Sequence, residues 1–379
     1  MKEKLPLIFI IFFINIIFSI SISRNQIYLN ENWKFQLNGG EAKTVDIPHD
    51  YTIIQQFDAS LDAENGFTPG GTGVYTKSFT IDYNGRDLTT ILYFYGIYKD
   101  AYITFNGVEI GENHYGYNTF YFDISKYIKA DGKTTNTLEV TVKHELFSSR
   151  FYSGSGMLRG AFLQITDPLH IAVDGLKVTT PDIAKGDGTV EVTTKIVNNA
   201  NSDSTFQLNI NVTDLNGKML AYGITDEKQL SKNSIKDFKT KLYVDNPKLW
   251  NAENPNLYKV EVQIINGNQV LDKDTTKFGF RYFSFDDKKG FVINGVPTKL
   301  KGACVHHDYG ALGGIENYDA AYKRLTQLKD MGMNAIRTSH NIPHSSWLTI
   351  CDEIGLYVIE EFFDGWTYPK GDNQEDFSK

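Results

Sequence analysis

The sequence predicts two antiparallel β domains followed by the opening of an α/β domain, and three observations carry that prediction. Seven Asn-Gly pairs, beginning at Asn38, Asn65, Asn84, Asn106, Asn216, Asn266 and Asn294, all fall before residue 296. Asn-Gly between alternating segments signals a hairpin, because both residues tolerate positive φ in a type I′ turn. Period-two alternation runs through "GTVEVTTKIVNN" and "FQLNINVTDLNG", the pattern of strands with one buried face. After Gly290 the pattern becomes βαβαβ, and right-handed crossovers make such strands parallel.

The chain opens with Lys2 and Lys4, an apolar run over 5–18 and the small-residue stretch "SISIS" over 19–23. This order of charged, apolar and small residues reads as a secretory signal peptide over 1–23, cleaved between Ser21 and Arg24. The run holds Pro6 and Asn15 and is short for a membrane span; a retained anchor is the alternative. The expectation is a protein secreted to the periplasm or beyond, with no membrane partner after cleavage.

Residues 24–171 read as the first β domain, rich in aromatics, with a Gly-rich loop "GFTPGGTG" at 66–73. Its clearest hairpin is "AYITF-NG-VEIGE" at 101–112. Residues 172–283 read as a more regular β domain, whose clearest hairpin is "VEVQII-NG-NQVLD" at 260–272. A length of about 110 residues with short strands suits an immunoglobulin-like sandwich. From 284 the α/β part begins. "TKLKGACVHHD" (298–308) reads as a mostly buried strand. "YDAAYKRLTQLKDMG" (318–332) reads as a helix with Tyr322, Leu325, Leu328 and Met331 on its inward stripe and Gly332 as its stop. "MNAIRT" (333–338) is the second strand. "SSWLTICDEIG" (345–355) is a Ser-capped helix with Trp347, Leu348, Cys351 and Ile354 inward, and "LYVIEEF" (356–362) is the third strand.

Of the 379 residues, 41% are hydrophobic and 22% charged, which supports sizeable cores. The formal charge of −8 argues against nucleic acid and acidic membranes as partners. The aromatic content of 13% fits strands and also fits sugar-stacking surfaces. Cys304 and Cys351 read as buried free thiols. Asn211-Val212-Thr213 is a glycosylation sequon.

Chemistry in parallel α/β domains sits at the carboxyl ends of strands. Here each of three strands ends in a polar cluster: His306-His307-Asp308, then Ser339-His340-Asn341, then Glu361, Asp364 and Trp366. Their recurrence at three equivalent positions points to one shared pocket. A zinc site from His306, His307 and His340 is disfavoured, because adjacent strand residues face opposite ways. The same alternation separates Glu360 from Glu361. It leaves Glu361 for the pocket and Glu360 for a structural salt bridge or hydrogen bond. The "GGTG" loop precedes a strand, not a helix, so it is no phosphate cradle.

The chain resembles glycoside hydrolase family 2, the family of β-galactosidases, β-glucuronidases and β-mannosidases. In the first domain the resemblance lies in "WKFQL", "VDIPHDY", "GVYTKSF", "FNGVEIG" and "SRFYSGSGMLRG". In the third it lies in "FVINGVPTKLKGACVHHDYGALG", "RLTQLKDMGMNAIRTSHN" and "CDEIGLYVIEEFFDGW", and looks most like the β-galactosidase branch. It implies a jelly-roll sugar-binding domain, an immunoglobulin-like domain and the first three strands of a (β/α)₈ barrel. It also implies a carbohydrate substrate. By this resemblance His340 and Asn341 line the pocket, His306 follows the first barrel strand, and Arg337 lies near the catalytic centre. Glu361, Asp364 and Trp366 occupy the third-strand loop, and Arg150 is where the first domain reaches toward the site. "MLRGAF" at 157–162 and Ile342 depart from the family pattern.

The family's acid/base glutamate follows an Asn after the fourth barrel strand, and its nucleophile follows the seventh. The only "NE" pair here is Asn30-Glu31, in the first β domain. A (β/α)₈ barrel takes about 250 residues, and fewer than 100 follow Gly290. The resemblance therefore implies that both catalytic glutamates lie beyond the chain and that the chain alone is inactive. It places magnesium, where the family uses it, mostly on downstream ligands, so no cofactor is expected within this chain. A non-catalytic carbohydrate-binding protein built on the two β domains is the alternative.

Overall fold

The computed structural model describes residues 24–368 apart from 62, 64 and 65. The expected signal peptide and Asn65 lie outside the described residues.

The first domain is an antiparallel sandwich. One sheet runs Lys43–Val45, Trp33–Leu37, Gly71–Phe79, Asn136–His144, Asp100–Phe105, Val108–Asn113. It faces a sheet ordered Asn25–Tyr28, Ala161–Thr166, Thr89–Phe94, Phe120–Asp123. Alternation builds it: along Asn136–His144, Leu138, Val140 and Val142 are buried while Glu139 and Lys143 are exposed. The inner faces close on Trp33, Phe35, Tyr75, Leu92, Phe94 and Phe105. Asn106 and Gly107, both at positive φ (50° and 79°), make the expected two-residue turn before Val108–Asn113.

The second domain stacks the sheet Leu169–Thr179, Thr189–Asn198, Ser234–Tyr243 on the sheet Met219–Ile224, Ser204–Asp214, Tyr258–Asn266, Gln269–Phe278. Its core holds Val190, Val192, Ile210, Val212, Val260 and Val262. The hairpin at 258–278 turns on Gly267 and Asn268, one residue later than expected. A bulge beyond Ile264 shifts the register so that Asn266 pairs with Gln269. The sequon Asn211 sits mid-strand with its amide oxygen buried, so it does not present a surface loop.

The third part is a parallel sheet of Gly302–Val305, Ala335–Thr338 and Tyr357–Ile359, with helices Tyr318–Asp330 and Ser345–Ile354 between the strands. The first strand is shorter and more open than expected. Gly302 and Cys304 are exposed; Cys304 lies in register with Arg337 and Ile359 on the face of this sheet turned away from the helices, which the described residues leave open. Val305, Ile336 and Val358 face the helices instead. Helix Tyr318–Asp330 is capped by the Asn317 side chain, which accepts from Ala320 N–H. It ends in a Schellman turn: Gly332 (φ 89°) donates to Lys329 C=O and Met333 to Leu328 C=O. Its buried stripe is Ala321 and Leu325 with Leu328 beside them. Tyr322 and Met331, expected inward, are exposed, because the described chain covers only one flank of this helix. The second helix buries Trp347, Ile350 and Cys351, and its cap is His344, not Ser345. The His344 imidazole accepts from Ser346 N–H.

The barrel stands on the second sandwich. Trp250, Ala252 and Leu257 pack under Ile293, Ala335 and Tyr357. The Trp250 indole donates to Asp352 C=O (2.8 Å), and Lys329 Nζ bridges Ala252 C=O and Gly355 C=O (both 2.6 Å).

Candidate active site rim

The strand ends converge as the polar clusters suggested. Glu361 N–H donates to Thr338 Oγ1 (3.0 Å), tying the third strand end to the second. The Glu361 carboxylate then receives Arg337 on one oxygen and His340 Nδ1 on the other, the latter at 2.7 Å. With Nδ1–H directed to the carboxylate, Nε2 of His340 is left to accept when neutral and to donate when protonated. The Ser339–His340 peptide is cis, a feature the sequence does not announce. Ser339 itself is buried beneath the rim and donates from its backbone to Val305 C=O (3.0 Å).

His306 stands edge-on to His340, with ring centroids 5.5 Å apart. Phe151 of the first sandwich wedges against both, at 4.8 Å and 6.0 Å. Burial, with His340 beside it, lowers the pKa of His306. His307 turns the other way, toward Ser153 C=O (3.1 Å) and the edge of Tyr117. Burial pushes its pKa down to about 4. The alternation of strand side chains thus takes His307 away from His306 and His340, the other two histidines considered as zinc ligands. Among the described residues no cluster of three His, Cys, Asp or Glu side chains is placed to hold a metal. Glu360 likewise points away from Glu361. It is exposed and makes no ion pair or hydrogen bond among the described residues, so the expected structural salt bridge is absent there. It lines the open lower edge beside Phe291 and Ile359 instead.

The first sandwich supplies the other half of the rim. Arg150 grips Asp364 with Nε (2.8 Å) and Nη2 (3.1 Å) in a bidentate pair. The Asn341 amide oxygen accepts from the Tyr115 hydroxyl (2.8 Å) and from Asp364 N–H (3.3 Å). The Tyr115 hydroxyl also abuts the carbonyl of Phe362. Buried Arg159 donates to Tyr117 C=O (2.6 Å) and to Ile342 C=O (3.0 Å), which hangs the loop after Asn341 on the sandwich. Asp50 does the same for the loop after the first barrel strand, accepting from Tyr152 O–H (2.7 Å) and Gly314 N–H (2.9 Å).

The structure therefore brings together His306, Arg337, His340, Asn341, Glu361, Asp364 and Arg150. Trp366 stays outside this set, 67% exposed with its ring 5.6 Å from Phe363. Sequence reasoning missed Tyr115, Phe151 and Arg159. Phe151 and Arg159 lie in the "SRFYSGSGMLRG" stretch, but nothing local marks which side chains cross to the barrel.

Three family models match the chain: glycosyl hydrolases family 2, sugar binding domain, over 14–159; glycosyl hydrolases family 2 over 170–281; and the family 2 TIM barrel domain over 285–368. The chain belongs to glycosyl hydrolase family 2. It is 33% identical to β-galactosidase BoGH2A of Bacteroides ovatus, covering 90% of this chain and 41% of that protein. It is 30% identical to a β-galactosidase of Thermoanaerobacter pseudethanolicus, covering 93% and 46%. A β-glucuronidase of Bacteroides fragilis is 27% identical, with 91% and 51% covered. The chain thus spans about half or less of the length of these relatives. Among solved structures, a family 2 member from Bacteroides cellulosilyticus superposes with a TM-score of 0.86 at 33% identity, covering 93% of this chain and 47% of that one. A Bacteroides uniformis β-glucuronidase gives 0.80 at 27%, covering 90% and 42%.

Proposed function

We propose that this chain forms the sugar-binding and barrel-opening part of a secreted, retaining glycosidase that removes terminal β-glycosides, β-galactosides before β-glucuronides. The observation that carries the reading is the shared rim, where three barrel strand ends and the first sandwich meet in one polar cluster. Retaining hydrolysis needs two carboxyl groups about 5–5.5 Å apart, one of them a free nucleophile. Glu361 is held by Arg337 and His340, and Asp364 by Arg150. Both carboxylates are committed to shaping the rim, so the reactive pair comes from later barrel strands, as would any magnesium ligands. This rim then holds the sugar. His340 Nε2 and the Asn341 amide nitrogen are the groups its hydroxyls meet, and Trp366 offers an open indole face.

The charge of this part of the rim supports the preference for a galactoside. Arg150 and Arg337, the arginines at this rim, are each paired with a carboxylate. A uronate carboxyl would need a cation that is free to pair with it. The joint rim also disfavours a sugar-binding protein made of the two sandwiches alone, since their contacts run into the barrel.

The test is to read the coding sequence past Lys379 and assay its full product on 4-nitrophenyl β-galactoside, β-glucuronide and β-mannoside. The expected result is an in-frame continuation carrying two glutamates, and hydrolysis fastest on the galactoside. A stop after Lys379 in every transcript, together with no hydrolysis by the product, overturns the enzyme reading.

A further inference from the structure

Cys304 is exposed on the strand Gly302–Val305, on the open face of the parallel sheet. It lies in register with Arg337 on the adjacent strand, and Arg337 Nη1 donates to Cys304 Sγ at 3.5 Å. The Nη2 arm of the same guanidinium holds Glu361, whose other oxygen receives His340 Nδ1. The thiol thus sits one guanidinium away from the carboxylate that orients His340.

A second observation points at the same sulfur. Ser339 is 4% exposed, and its hydroxyl oxygen is buried with no nitrogen or oxygen partner among the described residues. A buried hydroxyl left unpaired is costly. The group it bears on is Cys304 Sγ, a weak acceptor as a thiol and a stronger one as a thiolate. The Ser339 hydroxyl and then the Arg337 guanidinium hold the Cys304 thiol below its ordinary range, against an opposing pull from the Glu361 carboxylate. Cys351 is the contrast within the same chain. It is 1% exposed in the second helix, and burial pushes its thiol up to about 12. Buried thiols of that kind are inert.

We propose that Cys304 is a modification site, a reactive thiol seated between Arg337 and Ser339 that takes small disulfides and soft electrophiles. The thiolate is the attacking form, and reactive cysteines sit in partly exposed, electropositive surroundings. With a disulfide, Cys304 Sγ bonds to one sulfur as the S–S bond breaks. The other sulfur departs as a thiolate, and the cysteine proton passes to water. With a haloacetamide, an S–C bond forms as the halide leaves, and the proton again goes to water. Neither step needs a further oxidant. The inference does not depend on what the barrel catalyses.

The experiment treats the 379-residue chain with dithiodipyridine, an uncharged disulfide whose exchange is read by absorbance. The reference is a synthetic peptide of residues 300–307, which carries the same thiol without Arg337 or Ser339. The native chain is expected to react at a single thiol, and peptide mass mapping is expected to place the adduct on Cys304. At neutral pH its rate is expected to exceed the peptide's by about threefold or more, since a thiol ionised about tenfold further loses only about threefold in nucleophilicity. Ser339→Ala and Arg337→Gln each remove one of two groups that favour the thiolate. Each is expected to slow the reaction by about twofold or more, with circular dichroism confirming the fold. Cys304→Ser is expected to abolish it. A native rate no faster than the peptide's overturns the inference. So do an adduct on Cys351 alone and a rate that neither Ser339→Ala nor Arg337→Gln lowers.

Discussion

Arg150→Ala is the perturbation that most cleanly probes how the first sandwich is joined to the barrel. The Arg150 side chain is 34% exposed and the Asp364 side chain 7%. Their two hydrogen bonds, at 2.8 and 3.1 Å, are of good length for a charge-assisted fork. Removing one partner of a fully buried pair costs about 3–5 kcal/mol, mostly from the charge left behind. Because water reaches a third of Arg150, the expected cost here is lower, about 2–3 kcal/mol. At about 2–4 °C per kcal/mol this lowers the melting temperature of the barrel-linked transition by about 4–12 °C. Calorimetry suits the measurement, because a multidomain chain need not melt in one step. Arg150→Lys should recover only part of the loss, since an ammonium cannot reproduce the planar fork. The reasoning fails if Arg150→Ala melts within about 0.5 kcal/mol of the parent, or if Arg150→Lys is indistinguishable from it.

Further outcomes follow from the same geometry. Arg24 reaches Asp272, whose side chain is 0% exposed. Arg24→Ala should cost about 3–5 kcal/mol in urea unfolding by stranding that carboxylate; a loss below 1 kcal/mol contradicts it, and any signal cleavage must leave Arg24 in place. His144 is buried between Ser148 and Ser155, and burial, with Lys99 nearby, holds its pKa down at about 3. The unfolded chain therefore takes up a proton between roughly pH 6.5 and 3 that the folded chain refuses. Stability is complete above that window and falls by about 1.4 kcal/mol per pH unit within it. His144→Gln should flatten the slope measured between pH 7 and 5, and equal slopes in parent and variant would refute the assignment. Tyr115→Phe removes a donor from the Asn341 amide oxygen and should cost about 1 kcal/mol in rim stability; hydrogen exchange at Asn341 and Asp364 reads it, and unchanged protection counts against the contact.

The local signals in the sequence were reliable where the physics is local. Asn106-Gly107 turns where two positive-φ residues must turn, and Gly332 and Gly355 stop their helices in left-handed conformations. The three polar clusters converged because parallel strands place equivalent positions side by side: Cys304, Arg337 and Ile359 are in register. What failed depended on neighbours far along the chain. Tyr322 and Met331 fit the helical period but have no element packed over them among the described residues. Cys304 sits in an apolar segment that suggests burial, yet it is exposed on the sheet face turned away from the helices. Tyr115 meets Asn341 across 226 positions and Arg150 meets Asp364 across 214, and no short-range pattern encodes such pairs. Even a register slip as small as the one at Asn266 was set by a bulge on the partner strand.

The stereochemistry of the first-formed product tests the central claim most directly. Proton NMR can follow hydrolysis of 4-nitrophenyl β-galactoside by the full-length gene product, before mutarotation. The account predicts that galactose appears first as the β anomer, released from a covalent intermediate on carboxylates held about 5 Å apart over this rim. Release of the α anomer would mean an inverting site, and the account would be wrong.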